Sequence, residues 1–489
     1  MNREHIKHYY ERIAPSWDYW HEKNRFYHVM MRRLVQGMIP PGSTVLELGS
    51  GTGDLLATLK PSRGIGLNLA QQLTDLAKNK FPHLEFYTVE VDQVRCPENF
   101  SPEYVVMVNM LDHVYDVWDV LENLRPAISD RTLLILTTNN PLWAPLLRLG
   151  SKIGLRSRDS IRNFITNKDI RSVLELQGFD VVEEDLALPV PRRVPLIGTV
   201  LNALLPELPL LRWTSSIQCV AARVRTSRSA LSCSVVIPCH NEEDNIVECL
   251  RRVPNIGSWT EIVVVDDGST DETGTRVREV MHSDPRVRLI ASEHNQGKAN
   301  AVRAGFEAAR GDVIMILDAD MAVMPEELSK FMKPLQNGTA DFVNGTRLVY
   351  PMQGRAMKLA NFLGNKGFCY LASWITRQRV SDTLCGTKAM FKYDYKRMPL
   401  GGKERWGDFD LLLGAARLRL RILEIPVHYQ ERRAGKSKMR VMRDGWLFLK
   451  ACWHGWWMLR FPETVPWVEK HEPVLGWREI EPGASKVPT

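Results

Sequence analysis

The chain contains two stretches in which strand patterns alternate with helix patterns, and this repetition limits its fold more than any other feature of the sequence. The stretches are separated by a short basic and Ser-rich segment at residues 224–232. In each stretch a β-branched run leads into a turn rich in Gly or Asp. Such alternation is typical of α/β domains with a largely parallel sheet. A length of 489 residues leaves room for two or three domains, and we expect two α/β domains.

The composition is that of a globular protein, since 44% of the residues are hydrophobic and 25% are charged. These proportions exclude a disordered or fibrous chain. The net charge of +7 suits an anionic ligand or a membrane surface, but it does not indicate nucleic acid, and we predict no nucleic-acid partner. The eight cysteines form no CxxC pair, so we expect reduced thiols rather than disulfides or a zinc site.

The pattern of apolar residues does not predict insertion into a membrane. Residues 1–10 are polar and lack the apolar core of a signal peptide. The two most apolar stretches, residues 196–213 and 447–461, are interrupted by Pro or charged residues and fall short of the ~20 residues that span a bilayer. The sequence therefore predicts a cytoplasmic protein, and it leaves open peripheral contact with the inner face of the cell membrane.

A Gly-rich turn follows the first strand pattern of the N-terminal half. Residues 44–48 read as a buried strand, Glu47 lies near its end, and the turn GSGTG occupies residues 49–53. Alternate glycines let a backbone approach a ligand closely, and the helix that follows offers free N–H groups. The spacing GxGxG differs from the GxGxxG of dinucleotide-binding loops, which disfavours a nicotinamide cofactor. A GxG pair alone is more often a plain tight turn.

The wider context gives this turn a second interpretation. The motif VLELGSGTG, the later strands YVVMV and LLILT, and the preceding segment HYYERIAPSWDYW resemble class I S-adenosylmethionine-dependent methyltransferases over about residues 5–185. The resemblance implies a Rossmann-like methyltransferase fold that binds S-adenosylmethionine. The residues that it places at the cofactor are Glu47, Gly49, Gly51, Gly53 and Asp92.

One position departs from that family. Its second strand usually ends in an acidic residue that binds the ribose, and here we assign that position to Gly66, with Asn68 as a partial substitute. Loss of a charge-assisted contact costs about 2–3 kcal/mol of binding. Three alternatives stay open for the N-terminal half, namely an active methyltransferase, a domain that only binds the cofactor, and a structural scaffold.

The C-terminal half carries acidic residues at the ends of successive strands. Strand patterns at 234–238, 261–265 and 312–317 end in CHNEE, DDGSTD and DAD, and NQGK at 295–298 opens a helix. In α/β sheets, ligands bind at the carboxyl ends of the strands. Asp318 and Asp320 form a pair that suits Mg²⁺ or Mn²⁺ together with phosphate oxygens. A lone DxD is common by chance, but the accompanying motifs make chance improbable.

These motifs resemble family-2 glycosyltransferases of GT-A fold, and most closely their dolichyl-phosphate mannosyltransferase-like branch, which transfers sugar to a polyprenyl phosphate. The resemblance implies a pocket for the base and ribose of a nucleotide-sugar, a lysine near the diphosphate and a metal site. The residues that it assigns to the pocket are Pro238, Glu242, Asp266 and Asp267. Lys298 is assigned to the diphosphate, and Asp318 and Asp320 to the metal.

Three later segments complete this resemblance. SDTLCGTK places Asp382 in the acceptor part of the site, and WGDFDLL supplies Asp408. Transfer to a hydroxyl needs a general base there, whereas an acceptor phosphate is already ionised. ERRAGKSK matches the branch's RxxGxSK segment and places Arg432, Ser437 and Lys438 at a phosphate. We assign catalytic roles to Asp320, Asp408 and Arg432.

The last apolar segment, residues 443–461, carries four Trp among basic residues. Such a helix can lie in the headgroup layer of a membrane and give access to a lipid acceptor. Packing against the catalytic domain explains the same pattern equally well. The two alternatives stay open.

The sequence therefore predicts a bifunctional α/β chain. Residues 1–225 form a methyltransferase-like domain, 226–232 a linker, 233–445 a GT-A glycosyltransferase domain, and 446–489 an amphipathic Trp-rich helix and tail. The expected activity is metal-dependent, inverting transfer of a sugar from a nucleotide-sugar to a polyprenyl phosphate or related lipid. The alternative is transfer to a glycan or small hydroxylated acceptor, with the N-terminal domain as a binding module. The motifs do not specify the donor sugar and base, the methyl acceptor or the oligomeric state.

Overall fold

The computed structural model describes the chain except for residues 1–2, 90–99, 158–162, 164, 195–197, 209, 348, 350–358, 400–406, 430–440, 462–464, 466, 468–473 and 482–489, and at 199, 203, 359–365 and 441–445 it describes only the backbone. The chain divides into two compact units. Unit 1 comprises Met1–Arg225 with Arg460–Val465, and unit 2 comprises Thr226–Leu459 with Pro466–Thr489. The division after Arg225 coincides with the start of the linker that the sequence predicts.

Unit 1 contains a seven-stranded sheet flanked by helices. Its strands are β1 (Thr44–Leu48), β2 (Arg63–Asn68), β3 (Glu85–Thr88), β4 (Tyr104–Val108), β5 (Leu133–Asn139), β6 (Phe179–Ala187) and β7 (Ile217–Val224). Its helices are α1 (Arg3–Ile13), α2 (Trp17–Lys23), α3 (Arg25–Gln36), α4 (Asp54–Leu59), α5 (Gln71–Lys80), α6 (Val117–Leu124), α7 (Ala144–Lys152), α8 (Asn167–Leu176) and α9 (Gly198–Leu204).

The strand order in this sheet is β3-β2-β1-β4-β5-β7-β6. Strands β1 to β5 run parallel to one another, while β7 runs antiparallel to both β5 and β6. The apolar runs of β1, β4 and β5 are buried because helices cover both faces of the sheet. The chain moves outward in one direction from β1 to β3 and in the other from β4. This reversal places a ligand-binding crevice at the carboxyl ends of β1 and β4.

Unit 2 contains an eight-stranded mixed sheet. Its strands are β8 (Cys233–Cys239), β9 (Thr260–Asp267), β10 (Val287–Ser292), β11 (Val313–Ile316), β12 (Phe342–Thr346), β13 (Lys388–Phe391), β14 (Ile422–Pro426) and β15 (Trp477–Ile480). Its helices are α10 (Ile246–Arg252), α11 (Thr273–Ser283), α12 (Lys298–Ala308), α13 (Leu328–Gln336), α14 (Leu359–Thr376), α15 (Lys392–Tyr395), α16 (Asp408–Arg417) and α17 (Val441–Arg460).

The order here is β14-β12-β13-β11-β8-β9-β10-β15. Strands β11, β8, β9 and β10 form a parallel block, so their carboxyl ends meet at one edge of the sheet. Strand β13 pairs antiparallel with β11 and β12, and β15 pairs antiparallel with β10. The sequence predicted only a helix and a tail after residue 446. Strand β15 was missed because four residues carry little pattern and their partner lies almost 200 positions earlier.

Candidate functional site

The acidic motifs of unit 2 meet at the carboxyl edge of the parallel block. Asp318 and Asp320 follow β11, and Lys298 is the first residue of α12. The ammonium Nζ of Lys298 lies 2.6 Å from Oδ1 of Asp318. Burial acts to lower the pKa of Lys298, but the carboxylates of Asp318, Asp408 and Asp320 outweigh it, and the net shift is upward. The structure thus brings together four residues that the sequence analysis singled out separately.

Asp267 holds the loop that presents Lys298. Its Oδ1 accepts a hydrogen bond from the backbone N–H of Gln296 at 2.7 Å, and its Oδ2 accepts one from Gly297 at 2.8 Å. Gly297 has a φ of +93°, which favours glycine at this turn. Because both oxygens of Asp267 accept from this loop, the residue positions the start of α12. Its direct contact with a nucleotide stays a prediction.

The other predicted pocket residues lie at the ends of β8 and β9. Asp266 is buried, its Oδ1 accepts from the backbone N–H of Ser269 at 3.0 Å, and burial raises its pKa. The carboxylate of Glu242 accepts a hydrogen bond from Nδ2 of Asn245 at 2.8 Å. Pro238 is part-buried and pairs with Val265 in the sheet. The structure therefore places these residues at the carboxyl ends of two neighbouring parallel strands, where α/β sheets bind ligands.

The segment at 382–388 lies directly against the Lys298–Asp318 pair. A Cβ added to Gly386 would approach Oδ2 of Asp318 to 2.5 Å and Nζ of Lys298 to 3.0 Å. Only glycine leaves room for these groups at this position. The neighbouring Cys385 is fully buried, and burial raises its thiol pKa to about 11. Cys385 is therefore an unreactive packing residue.

Lys388 is a buried cation that the sequence analysis did not identify. Its side chain is 1% exposed, and its Nζ donates to Oδ1 of Asn344 at 2.8 Å and to the carbonyl oxygen of Cys385 at 2.5 Å. The carboxylate of Asp408, the first residue of α16, lies 3.8 Å away. Lys388 thus connects the turn that carries Gly386 to Asp408. Fully buried lysines are rare in proteins. The sequence does not show that Lys388 is one, because its burial follows from the position of β13 between β12 and β11 in the sheet.

Asp382 forms a buried ion pair instead of lining an open pocket. Its carboxylate accepts from Nε of Arg347 at 2.7 Å and from the second guanidinium nitrogen at 2.8 Å. Asp382 is fully buried, and the guanidinium lies over the ring of Tyr429 at 5.1 Å. Burial acts to lower the pKa of Arg347, but the carboxylate of Asp382 outweighs this effect, and the net shift of the pKa is upward. Asp382 therefore positions Arg347, and its direct contact with an acceptor stays a prediction.

Asp92, Arg432, Ser437 and Lys438 lie outside the described residues. Within the part that the structure covers, no group of three or more His, Cys, Asp or Glu is arranged to hold a metal ion. The predicted metal site therefore consists of two carboxylates, Asp318 and Asp320. The backbone N–H of Ala322 donates to Oδ1 of Asp320 at 3.1 Å, which fixes the orientation of that side chain.

Unit 1 contains a cavity of about 970 Å³ at the crevice beside β1 and β4. Gly49 and Gly51 line it, and both have positive φ, as Gly53 does. A Cβ on Gly51 would lie 2.7 Å from the ring of Trp17, which covers the turn. Glu47 is 3% exposed and lines the same cavity. Its Oε2 has no hydrogen-bond partner among the described residues, and burial raises its pKa.

At the end of β2, Asn68 rather than Gly66 faces the cavity. Gly66 does not line it, and a Cβ there would meet the ring of Phe86 and the hydroxyl of Ser50, both at 2.6 Å. The strand ends at Asn68, which lines the cavity. Asn68 binds both backbone groups of Gly51, accepting from its N–H at 2.8 Å and donating to its carbonyl at 2.9 Å. An aspartate could not make the second bond, so the turn itself requires the amide.

Comparison with known proteins finds one family model in each unit. Residues 17–184 match the family model described as Methyltransferase domain, and residues 234–397 match that of Glycosyl transferase family 2. A dolichyl-phosphate beta-glucosyltransferase of Trichomonas vaginalis is 32% identical over 233 residues, which are 44% of this chain and 68% of that protein. The chain belongs to glycosyl transferase family 2. Both resemblances seen in the motifs, and the α/β class of both domains, are thereby confirmed.

The family-2 half also matches an undecaprenyl-phosphate 4-deoxy-4-formamido-L-arabinose transferase of Edwardsiella ictaluri, at 32% identity over 217 residues. The match covers 43% of this chain and 63% of that relative's length. Among solved structures, a glucosyl-3-phosphoglycerate synthase of Mycobacterium tuberculosis with Mn²⁺ and UDP is 21% identical, with a TM-score of 0.36 over 48% of this chain and 81% of the other. The chain is thus a methyltransferase-like domain fused to a family-2 glycosyltransferase domain.

Proposed function

We propose that unit 2 transfers a sugar from a nucleotide-sugar to a polyprenyl phosphate or a related lipid phosphate. The observation that carries this proposal is the cluster of Lys298, Asp318, Asp320 and Asp408 at the carboxyl ends of the parallel strands, with Gly386 packed against it. The names of the two relatives support a lipid-phosphate acceptor, since one is an undecaprenyl-phosphate transferase and the other a dolichyl-phosphate glucosyltransferase.

The two carboxylates fit a divalent cation. Asp318 already faces a positive charge in Lys298 at 2.6 Å, and both Asp318 and Asp320 offer the hard oxygen donors that Mg²⁺ and Mn²⁺ prefer. When bound there, the ion neutralises charge on the diphosphate of the donor. The protein groups act alongside it. Lys298 is held at the end of its loop by Asp267, and it can turn from Asp318 to the leaving diphosphate.

The reaction needs no base from the protein. An oxygen of the acceptor phosphate attacks the anomeric carbon, the bond from that carbon to the diphosphate oxygen breaks, and its electron pair leaves with the nucleoside diphosphate. Attack opposite the leaving group inverts the anomeric centre. Asp408 faces Lys388 and Lys298, so it serves to hold these cations in place. Arg432, Ser437 and Lys438 complete the proposal as phosphate-binding residues.

The exposed face of α17 supports contact with a membrane. The helix packs inward through Phe448, Cys452 and Met458, which are buried. On the other side Trp446 and Trp453 are 61% and 65% exposed. The buried face agrees with packing against the catalytic domain, and the exposed face is free to contact a membrane. Exposed Trp beside basic residues suits the headgroup layer, and we propose peripheral binding at the inner face of the cell membrane. Among the described residues, no helix is long and apolar enough to span a bilayer.

The proposed function is tested by transfer of radiolabelled sugar from a panel of nucleotide-sugars into the organic-extractable phase, with polyprenyl phosphate and Mg²⁺ or Mn²⁺. We expect label in the lipid phase only when metal is present. In Asp320→Asn we expect a rate at least about 100-fold lower, because metal charge stabilisation amounts to several kcal/mol, and an unchanged melting temperature, because Asn keeps the oxygen that accepts from Ala322. Asp244→Asn, at an exposed turn, is the matched control.

Two results would contradict this assignment. Full turnover of Asp320→Asn in the presence of metal would remove the metal role. Label that enters a glycan or a small hydroxylated compound, with none in lipid, would replace the lipid acceptor and give Asp408 the role of general base.

Membrane contact is tested separately, by flotation with anionic liposomes. We expect the wild type to float with the lipid, and the variant Trp446→Ser/Trp453→Ser to stay largely at the bottom. Trp259→Ser removes an equally large exposed ring elsewhere in unit 2 and is expected to float. Wild-type protein that stays at the bottom would remove the membrane contact.

We further propose that unit 1 binds S-adenosylmethionine in its cavity. The Gly turn at 49–53, the buried and unpartnered Oε2 of Glu47 and the cavity above them fit such a cofactor. When bound, it supplies a methyl group on a sulfonium. The absence of a carboxylate at the end of β2 predicts weaker binding than in methyltransferases that have one. Calorimetry with S-adenosylmethionine and S-adenosylhomocysteine tests this proposal, and no heat with either would overturn it.

A further inference from the structure

The cavity of unit 1 contains a pair of histidines that the proposed cofactor site does not use. The rings of His21 on α2 and His28 on α3 are stacked, with centroids 3.9 Å apart and planes 24° apart, and both line the cavity. Trp17 also stacks with His21 at 4.8 Å, and its indole lies against Gly51. A row of three rings therefore runs from the Gly turn into the cavity.

The tautomer of His21 follows from its hydrogen bond. Nδ1 lies 3.0 Å from the carbonyl oxygen of Trp17. A carbonyl oxygen only accepts, so Nδ1 carries the proton. In the neutral ring Nε2 then holds a lone pair that can take up a proton. The first turn of α2 thus fixes His21 as a base whose basic atom is Nε2.

The surroundings of His21 favour its neutral form. Burial lowers its pKa, and this effect outweighs the carbonyl of Trp17 and the carboxylates of Asp54 on α4 and Asp18 on α2, which act to raise it. Arg32 on α3 lowers it further.

The second ring is shifted in the same direction. Burial lowers the pKa of His28 to about 3, and the neighbouring His21 and Arg32 add to that effect. Two stacked imidazoles at this distance repel when both are charged, so the pair takes up one proton at a time.

The rest of the cavity suits a ring-shaped acceptor. Tyr10, Trp20, Tyr27 and Trp143 also line it, and such side chains stack on planar or cyclic compounds. A volume of about 970 Å³ lies at the upper end of the usual range for ligand pockets, about 300–1,000 Å³, and leaves room for an acceptor beside a cofactor. A neutral base matters for a hydroxyl acceptor, whereas a carboxylate or thiolate needs none.

We propose that unit 1 methylates a hydroxyl on a sugar or phenol ring, and that His21, stacked on His28, takes the proton of that hydroxyl. This inference rests on the proposed binding of a sulfonium methyl donor. The acceptor oxygen forms a bond to the methyl carbon, and the bond between that carbon and sulfur breaks with its electron pair going to sulfur. The hydroxyl proton passes to Nε2 of His21 and from there to solvent.

The first test uses the full chain without any ligand. Histidine side-chain NMR across a pH series is expected to show His21 as the Nδ1–H tautomer, and both His21 and His28 mostly neutral at pH 6.5. Signals are assigned with His21→Gln and His28→Gln. An Nε2–H tautomer for His21, or a charged His21 at pH 6.5, would overturn the proposal whatever the acceptor.

The second test measures methyl transfer to a panel of sugars, phenols, carboxylates and thiols. We expect methyl transfer to the sugars or the phenols of the panel. In His21→Gln we expect a rate at least about 100-fold lower, which is the usual size of a general-base contribution. Binding of S-adenosylhomocysteine is expected to be unchanged in that variant. His83→Gln, an exposed histidine of unit 1, is the matched control and should keep the full rate.

The outcomes distinguish failure of the histidine assignment from failure of the proposed cofactor binding, on which it rests. No binding of S-adenosylhomocysteine to the wild type overturns both. Binding together with an unchanged rate in His21→Gln, transfer to carboxylates or thiols alone, or transfer to no compound of the panel overturns the histidine assignment and leaves cofactor binding in place. His28→Gln serves as a second variant where His21→Gln fails to fold, and we expect its rate to fall and its pH profile to shift.

Discussion

At the scale of single residues, the chemistry of unit 2 depends on buried charges that balance one another. Near the turn that carries Gly386, the negative charge of Asp408 interacts with the positive charges of Lys388 and Lys298. Arg347 and Asp382 form a second balanced pair nearby. Removing one member of such a pair leaves an uncompensated charge in a poorly solvated place, which is strongly destabilising.

Lys388→Met is expected to lower the free energy of unfolding by about 3–5 kcal/mol. The substitution leaves Oδ1 of Asn344 and the carbonyl of Cys385 without their donor and leaves Asp408 without its nearest cation. Urea denaturation measures the change. Lys333→Met, at an exposed position of α13, is the control and should change stability by no more than about 0.5 kcal/mol. Equal stability of the two variants would contradict the pairing.

The stacked histidines give unit 1 a dependence on pH with a definite sign. Burial lowers the folded-state pKa of His28 from 6.5 to about 3, so the unfolded chain binds more protons between these values. Stability is therefore fully present above pH 6.5 and falls as the pH drops toward 3. We expect the melting temperature of His28→Gln to fall less between pH 7 and pH 5 than that of the wild type or of the His83→Gln control. An equal fall in melting temperature in all three proteins would contradict the lowered pKa of His28.

At the scale of elements, one edge of the unit 2 sheet is covered by β15, a strand that lies almost 200 residues after its partner β10. Strand β15 pairs with β10, and Arg288 on β10 binds Glu479 on β15 at 2.7 Å. Ile480 is buried in the core of unit 2. An uncovered edge such as that of β10 is a template for unwanted pairing between chains. The last strand thus stabilises the sheet and also protects it from aggregation.

Ile480→Asp is expected to release β15 from this edge, since it places a charge in an apolar core without a partner. Hydrogen exchange should then show loss of protection in β10, and aggregation should increase. Arg478→Asp changes an exposed side chain two positions earlier on the same strand and should leave protection of β10 intact. Protection that survives in Ile480→Asp would show that β15 is dispensable.

At the scale of the whole molecule, the two units have separate cores, and each contains one of the two candidate sites. Each unit has its own sheet and its own buried apolar clusters. The turn with Gly51 belongs to unit 1, and the pair of Asp318 and Asp320 belongs to unit 2. A local change at one site therefore should not reach the chemistry of the other.

Gly51→Asp is expected to abolish binding of S-adenosylhomocysteine and to leave sugar transfer within about twofold of wild type, a difference of about 0.4 kcal/mol. The new side chain would meet the ring of Trp17 at 2.7 Å, at a φ of +54° that disfavours any side chain. Asp320→Asn should give the opposite result. Calorimetry and the lipid-extraction assay measure the two effects, and sugar transfer lost in Gly51→Asp would mean that the units are coupled.

The sequence by itself determined the two-domain α/β organisation, the strand ends that carry the acidic and Gly-rich motifs, and the resemblance of each half to its own family. These follow from local patterns, since β-branched runs bounded by Gly and Asp specify strands and the turns after them. It also placed Lys298, Asp318, Asp320 and Asp408 at one site, by resemblance rather than by spacing.

The tertiary structure alone decided which side chains face each other. It placed Asn68 rather than Gly66 on the cavity of unit 1, showed which loop Asp267 holds and which arginine Asp382 binds, and revealed Lys388 and the stacked pair of His21 and His28. Each of these depends on a partner distant in sequence or on a face of a helix that sequence alone leaves unassigned. Local chemistry specifies elements, but burial and charge balance arise only where elements pack together.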